Sequence, residues 1–312
     1  MHIRPLSPDT TTTFAQVCGR SEHAADVQRY LDQMLERGAI HPDWCFVAEE
    51  AHQIVGTIAY WALPSSDKPS DFVLIELPWE REDWLSLGTQ LLQHTLSHMR
   101  ELGVHKIGHV LDTPPMYPQW QQFPAQRSEL LTHLGFTLQR ETYRFEWLAG
   151  ETAPAGSQRL TFRSLTAVGD IAFIDVIEQA SAGTLDRSIR QEREQGGPAH
   201  QAREMFKDLQ QMEYDPAWWQ LAYTQTGDLV GFVMPTKSPG AAVIGYIGVL
   251  PHQRGHGYIN DLLLCTATTF YAAGERRIVA DTDVDNAPMA NAFRRAGYRQ
   301  FATRKEYAIH LS

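Results

Sequence analysis

At 312 residues and 43% hydrophobic, the chain is long enough to bury two separate cores. Its net charge of −10 argues against electrostatic nucleic-acid binding and modestly favours cationic over anionic acceptors. Cys18, Cys45 and Cys265 lack metal-ligand or redox spacing, no apolar run reaches the ~20 residues of a membrane span, and Met1–Pro5 lacks a signal-peptide core; the expectation is a soluble cytoplasmic protein with reduced thiols and neither nucleic-acid nor membrane partner.

The first half opens with a short strand at His2–Leu6 and a helical region over Phe14–Arg37. Trp44–Glu49 and Ile54–Leu63 read as a hairpin, and Phe72–Leu77 as a buried strand. Asp83–Leu102 has the apolar spacing of a long amphipathic helix, Ile107–Leu111 is a strand, and a proline-rich detour runs from Pro114 to Pro124. A helix over Gln126–Leu134 stops at Gly135, Phe136–Trp147 alternates as a strand, and Ala149–Ser157, with Gly150, Pro154 and Gly156, reads as a linker.

The second half repeats that order. Arg159–Arg163 is a strand, and Ala167–Met212 is mostly helix, broken at Gly183 and at Gly196-Gly197-Pro198. Trp218–Tyr223 and Leu229–Met234 form a hairpin, and Arg304–His310 is a terminal strand. Val55-Gly56 answers Val230-Gly231, Glu76-Leu77-Pro78 answers Val249-Leu250-Pro251, and Leu134-Gly135-Phe136 answers Ala296-Gly297-Tyr298. The division is therefore 1–148, a linker over 149–158, and 159–312.

The chemistry concentrates in Ala242–Leu264. An apolar, β-branched run ends at Pro251, and Arg254-Gly255-His256-Gly257-Tyr258 leads into a helical pattern through Leu262, Leu263, Thr266 and Phe270. A strand–glycine turn–helix start leaves backbone N–H groups pointing one way with the helix dipole behind them, a phosphate site. Asn260 stands where a dinucleotide fingerprint needs its third glycine, and no Gly-Lys-Ser/Thr triplet occurs. A second block follows a short strand at Arg277–Ala280: Asn286, Met289, Phe293, Gly297 and Tyr298.

Val249-x-Pro251-x-x-Arg254-Gly255-x-Gly257 resembles the coenzyme A pyrophosphate loop of the GNAT (GCN5-related) N-acetyltransferases, with Ile259 where that family usually has Gly or Ala. The second block matches the family's Asn-x-x-Ala/Met-x-x-x-aromatic-x-x-x-Gly-aromatic pattern. The resemblance implies an α/β (α+β) fold of two tandem GNAT-like domains, each with a mixed, mostly antiparallel central sheet flanked by helices. It implies acetyl-CoA as co-substrate, with pantetheine on the main chain of Ile247, Gly248 and Val249. The pyrophosphate would lie on Arg254, Gly255, His256, Gly257, Tyr258 and Ile259, with Asn286 and Phe293 on the coenzyme's far side. In the first half, Pro78–Trp84 replaces both loop glycines by Glu82 and Trp84 and adds Glu80 and Asp83, so that copy is expected to hold no coenzyme, its acids standing at the helix N-terminus in place of the anion.

The reaction implied is direct attack of a neutral amine on the thioester, which needs a base. By resemblance the base is Asp281, the alternative being that it only caps the next helix; Asp283 and Asp285 are read as caps. The family's usual acid position holds Phe293, leaving Tyr298 or Tyr246 as substitutes. Asp281-x-Asp283-x-Asp285 fails as a calcium loop because Ala292 occupies the bidentate position, and the His94/His98 pair lacks a third ligand, so no metal is expected. The expected partner is a small-molecule primary amine, acted on by a monomer or homodimer. A mycothiol-synthase-like acyl transfer and a non-catalytic acyl-CoA-binding module are the alternatives.

Overall fold

The computed structural model describes residues 1–63, 66–238 and 241–311. In chain order the elements are β1 (His2–Pro5), α1 (Thr11–Cys18), α2 (Ala24–Glu36), β2 (Ile40–Glu50), β3 (Gln53–Trp61), β4 (Asp71–Glu76), α3 (Trp84–Glu101), β5 (Lys106–Thr113), α4 (Pro124–His133) and β6 (Thr137–Leu148). There follow β7 (Leu160–Ser164), α5 (Leu165–Val168), α6 (Asp170–Ala180), α7 (Arg187–Gly196), α8 (Pro198–Gln210), β8 (Gln220–Thr224), β9 (Leu229–Ser238), β10 (Ala241–Val249), α9 (Tyr258–Ala272), β11 (Arg277–Asp283), α10 (Ala287–Arg295) and β12 (Arg299–His310). Among the described residues no helix is long and apolar enough to cross a membrane.

The chain divides into two compact units, Met1–Glu141 with Thr303–Ser312, and Thr142–Ala302. The boundaries fall inside β6 and β12, not in the linker, which differs from the contiguous division at 148/159 read from the sequence. The cause is strand pairing. The second half of β6 pairs antiparallel with β11, from Thr142↔Asp283 to Leu148↔Arg277, while β12 pairs antiparallel with β5, from Thr303↔Thr113 to His310↔Lys106. Each repeat thus gives its late strand to the other repeat's unit, an exchange that no local pattern encodes.

Within the first unit the strand order is β1-β2-β3-β4-β5-β12, and within the second β6-β11-β10-β9-β8-β7. Each sheet is mostly antiparallel, with one parallel pair. In the first unit that pair is β4–β5, in register only at Asp71↔Gly108. In the second it is β10–β11, in register at Ala242↔Ile278 and Val243↔Val279. Beyond those points the parallel strands part, and each unit acquires a cleft in its sheet.

The helices fix the clefts by burying apolar stripes on the sheets. In α3, Leu91, Leu92, Leu96 and Met99 recur at helical spacing and pack with Phe46, Tyr60, Phe72 and Ile75. In α9, Leu263, Ala267 and Phe270 join Ile278, Ala280 and Phe293 of β11 and α10. On the opposite face, Phe173, Ile177, Ala202 and Phe206 of α6 and α8 pack on Trp219, Phe232 and Met234. At roughly 1.5–3 kcal/mol per buried large apolar side chain, these stripes hold the helices in place.

Candidate functional site

The cleft of the second unit is lined on one side by β10. A register break between Ile244 and Tyr246 puts a bulge at Gly245. Past it, Leu250 N–H donates to Val230 O at 2.9 Å. Because alternate residues of an antiparallel strand face opposite edges, Gly248 and Tyr246 also turn to β9, and the main-chain groups of Ile247 and Val249 turn into the cleft. Every residue of β10 from Val243 to Val249 is partly exposed. A strand edge with its amides facing outward can take an extended amide-bearing ligand by strand addition.

Below β10 the chain turns through Pro251–Gln253, and Gly255 and Gly257 adopt φ of +84° and +77°. A side chain at either would be strained in that left-handed region. Arg254 and Asn260 N–H groups bond back to Pro251 O and Gly257 O, but among the described residues no acceptor engages the N–H groups of Gly255, His256, Gly257, Tyr258 or Ile259. Five unengaged donors thus lie in and just after the turn at the start of α9, where its dipole favours an anion.

The family model described as Acetyltransferase (GNAT) family matches residues 186–298, which include β10, the turn and α10. The second unit is a GNAT-family domain. No curated protein matches the chain. Among solved structures, the chain is similar to a GCN5-related N-acetyltransferase from Sphaerobacter thermophilus, with TM-score 0.60 and 16% identity over 99% of this chain and 95% of that one. A tandem GNAT protein from the clavulanic acid biosynthesis pathway aligns with TM-score 0.51 and 16% identity, over 99% and 98% of the two chains. The glucosamine N-acetyltransferase region of a fungal multi-domain β-N-acetylglucosaminidase aligns with TM-score 0.57 and 11% identity, over 99% of this chain and 38% of that protein. At these identities the likeness is one of fold, and it is a tandem GNAT fold.

Several side chains of the two motifs have partners within the fold itself. The Arg254 guanidinium is spent on main-chain carbonyls: Nη2 donates to Ala180 O at 2.8 Å and Ala182 O at 2.9 Å, and Nε to Val249 O at 3.2 Å. It ties the end of α6 to β10, a structural duty. Asn286 caps α10, its side chain accepting from Met289 N at 3.3 Å. Phe293 is core, 1% exposed, with ring centroids 5.1 Å from Phe145 and 5.2 Å from Tyr298. The Tyr298 hydroxyl is buried with no hydrogen-bond partner among the described residues, and burial pushes its pKa well up. Tyr246 sits with its ring 5.0 Å from Phe232, and burial raises its hydroxyl too.

Asp281 lies inside β11, opposite Arg144 of β6, because the strand runs on to Asp283. Its carboxylate is a third exposed and accepts from Arg144 Nε at 3.3 Å. Asp283 caps a different helix from the one expected: its buried carboxylate accepts from Arg187 N at the first turn of α7, pinning that helix to the end of β11.

Sequence reading missed Arg159. From just before β7 its guanidinium reaches the glycine turn, Nη2 donating to His256 O at 2.9 Å and Nη1 to Asp261 Oδ2 at 3.1 Å, with its plane 4.8 Å from the Tyr258 ring centroid. Nearly a hundred residues separate it from the turn, so only the folded chain brings them together.

Proposed function

We propose that the second unit binds acetyl-CoA and transfers the acetyl group to a primary amine of a small molecule. What supports the reading is one juxtaposition: a partly exposed strand edge, Ile247–Val249, followed within six residues by five N–H groups at Gly255–Ile259 that have no partner among the described residues. A pantetheine arm is an extended diamide that ends in a diphosphate, and it matches an edge followed by an anion nest. When bound, the thioester supplies an activated acyl carbon. The chain's own groups hold and orient it, and Asp281 takes the proton that the acceptor ammonium must lose before its nitrogen lone pair can attack. The departing thiolate, with an ordinary pKa of ~8.5, needs little acid assistance.

The first unit is proposed to hold no coenzyme. Calorimetric titration with acetyl-CoA is expected to give one site per chain, and two equivalent sites would contradict this. Turnover against an amine panel that includes a glucosamine-bearing acceptor tests the chemistry and separates a mycothiol-synthase-like transfer. Asp281→Asn should leave coenzyme affinity unchanged and lower turnover about 10²-fold, less as pH approaches the pKa of the amine. Unchanged turnover would reduce Asp281 to a partner of Arg144. Binding without turnover on any amine would favour the second reading, an acyl-CoA-binding module, which the buried and unpartnered Tyr298 hydroxyl supports.

A further inference from the structure

We infer that Arg159 is a phosphate contact of the coenzyme, supplying the cationic side chain that Arg254 cannot. The inference rests on the coenzyme reading above and adds a residue to it from outside the glycine turn. Arg254 is committed to the carbonyls of Val249, Ala180 and Ala182. Arg159 stands on the turn itself: a Cβ added to Gly257 would lie 3.9 Å from Arg159 Nη1.

Its geometry is that of a pre-set donor. One nitrogen is anchored on His256 O and one on Asp261, whose other oxygen accepts from Ser157 Oγ at 2.7 Å. The plane rests against Tyr258. Two of the five guanidinium N–H groups are thereby used, and the side chain remains 53% exposed. Asp261 is 11% exposed and turned into the structure, so it orients the guanidinium from behind. A planar cation held by three contacts loses little rotamer freedom when it meets a phosphate, which distinguishes it from a free surface arginine.

Two phosphate groups of the coenzyme share this chemistry, the diphosphate and the ribose 3′-phosphate. The test measures binding of CoA and 3′-dephospho-CoA to wild type, Arg159→Gln and Arg159→Lys, with thermal melts of each protein. Arg159→Gln is expected to weaken CoA about 10-fold, as for loss of one charged hydrogen bond. A loss confined to CoA assigns the 3′-phosphate, and an equal loss on both ligands assigns the diphosphate. Arg159→Lys keeps the charge but cannot span His256 O and Asp261 together, so it should recover most of the affinity. If Arg159→Lys binds as weakly as Arg159→Gln while melting normally, the residue only braces the turn and the inference fails. It fails equally if both variants bind both ligands as wild type does. Wild-type protein that binds neither ligand would overturn the coenzyme reading itself, and this inference with it.

Discussion

In the second unit the parted strands β10 and β11 leave a strand edge partly exposed from Val243 to Val249. In the first unit the corresponding β4 is buried at every position after Asp71. The residues that bury it come from the proline-rich detour and α4. Gln119 Oε1 accepts from Leu74 N at 3.2 Å, and Arg127 Nη1 donates to Ile75 O at 2.7 Å, so both edges of the missing ladder on β4 are met. On β5, Gln121 donates to Val110 O at 2.8 Å and accepts from Asp112 N at 3.1 Å, while His109 Nδ1 donates across to Phe72 O at 2.9 Å. These are the hydrogen bonds an extended ligand would make, made by the chain's own side chains. The loop before α3 is altered in the same sense. Of its acids, Asp83 stands at the N-cap of α3, as the sequence suggested, and pairs with Arg81, while Glu80 pairs with Arg20, each at under 3 Å. A split in a sheet is therefore a liability of unpaired backbone, which the first unit resolves with its own side chains and the second leaves partly exposed along β10.

Four experiments would break or sharpen that contrast. The largest effect is expected from Gly257→Glu, which sets a carboxylate against the anion nest and forces a side chain into φ +77°; affinity for acetyl-CoA should fall at least about 10³-fold by calorimetry. Wild-type affinity in a folded variant would place the phosphate site elsewhere. Next is Arg127→Ala. Arg127 is 2% exposed, pairs with the buried Glu76 and packs 4.6 Å from the Trp79 ring centroid; removing it should cost the first unit about 3–5 kcal/mol in chemical denaturation. A cost below about 1 kcal/mol would mean that the closed cleft does not depend on it.

A smaller effect concerns acid. Burial pushes His109 down to about 3 from 6.5, and it stays neutral in the fold, donating from Nδ1 and accepting from Gln121 at Nε2. The unfolded chain takes up this proton below about pH 6.5 and the folded chain does not until about pH 3, so stability is full above that window and falls through it as pH drops. The slope from this group is about 1.4 kcal/mol per pH unit. Denaturation of wild type and His109→Gln at pH 7 and pH 5 should show the shallower dependence in the variant; equal slopes would contradict a neutral buried His109. The smallest expected effect is none. Restoring both glycines in the first unit, Glu82→Gly with Trp84→Gly, should create no second acetyl-CoA site, because the cleft stays filled by Gln119, Gln121 and Arg127. A second site would show that the loop alone decides.

Much of this was legible beforehand, for identifiable reasons. Helical spacing fixed α3 and α9, and the breaks at Gly183 and Gly197 located the ends of α6 and α7. The turn at Gly255 and Gly257 was readable because glycine is the residue that accepts its two positive φ values. Side-chain partners made across the fold were not. The commitment of Arg254 to the end of α6, the reach of Arg159 to His256, and the pinning of α7 by Asp283 each join residues about 70 to 100 positions apart. Nothing in spacing or composition marks them. The difference of the first cleft was half visible: Glu82 and Trp84 marked its loop as unlike the second, but Gln119 and Gln121, which bond the strands of that cleft, sit in a stretch that read only as a detour.

The exchange of late strands also sets an order of synthesis. Everything the second unit needs, Thr142–Ala302, has been made before the part of β12 that pairs with β5 appears. The first unit, although it begins the chain, lacks β12 until Thr303–Ser312 leave the ribosome. At ~5–20 residues per second, the intervening second unit imposes a wait on the order of ten seconds or more. Through that interval the edge of β5 that pairs with β12 stays open, in the half that was translated first. Emergence of the residues from Thr303 onward, rather than completion of the second unit, is the event that closes the first unit's sheet.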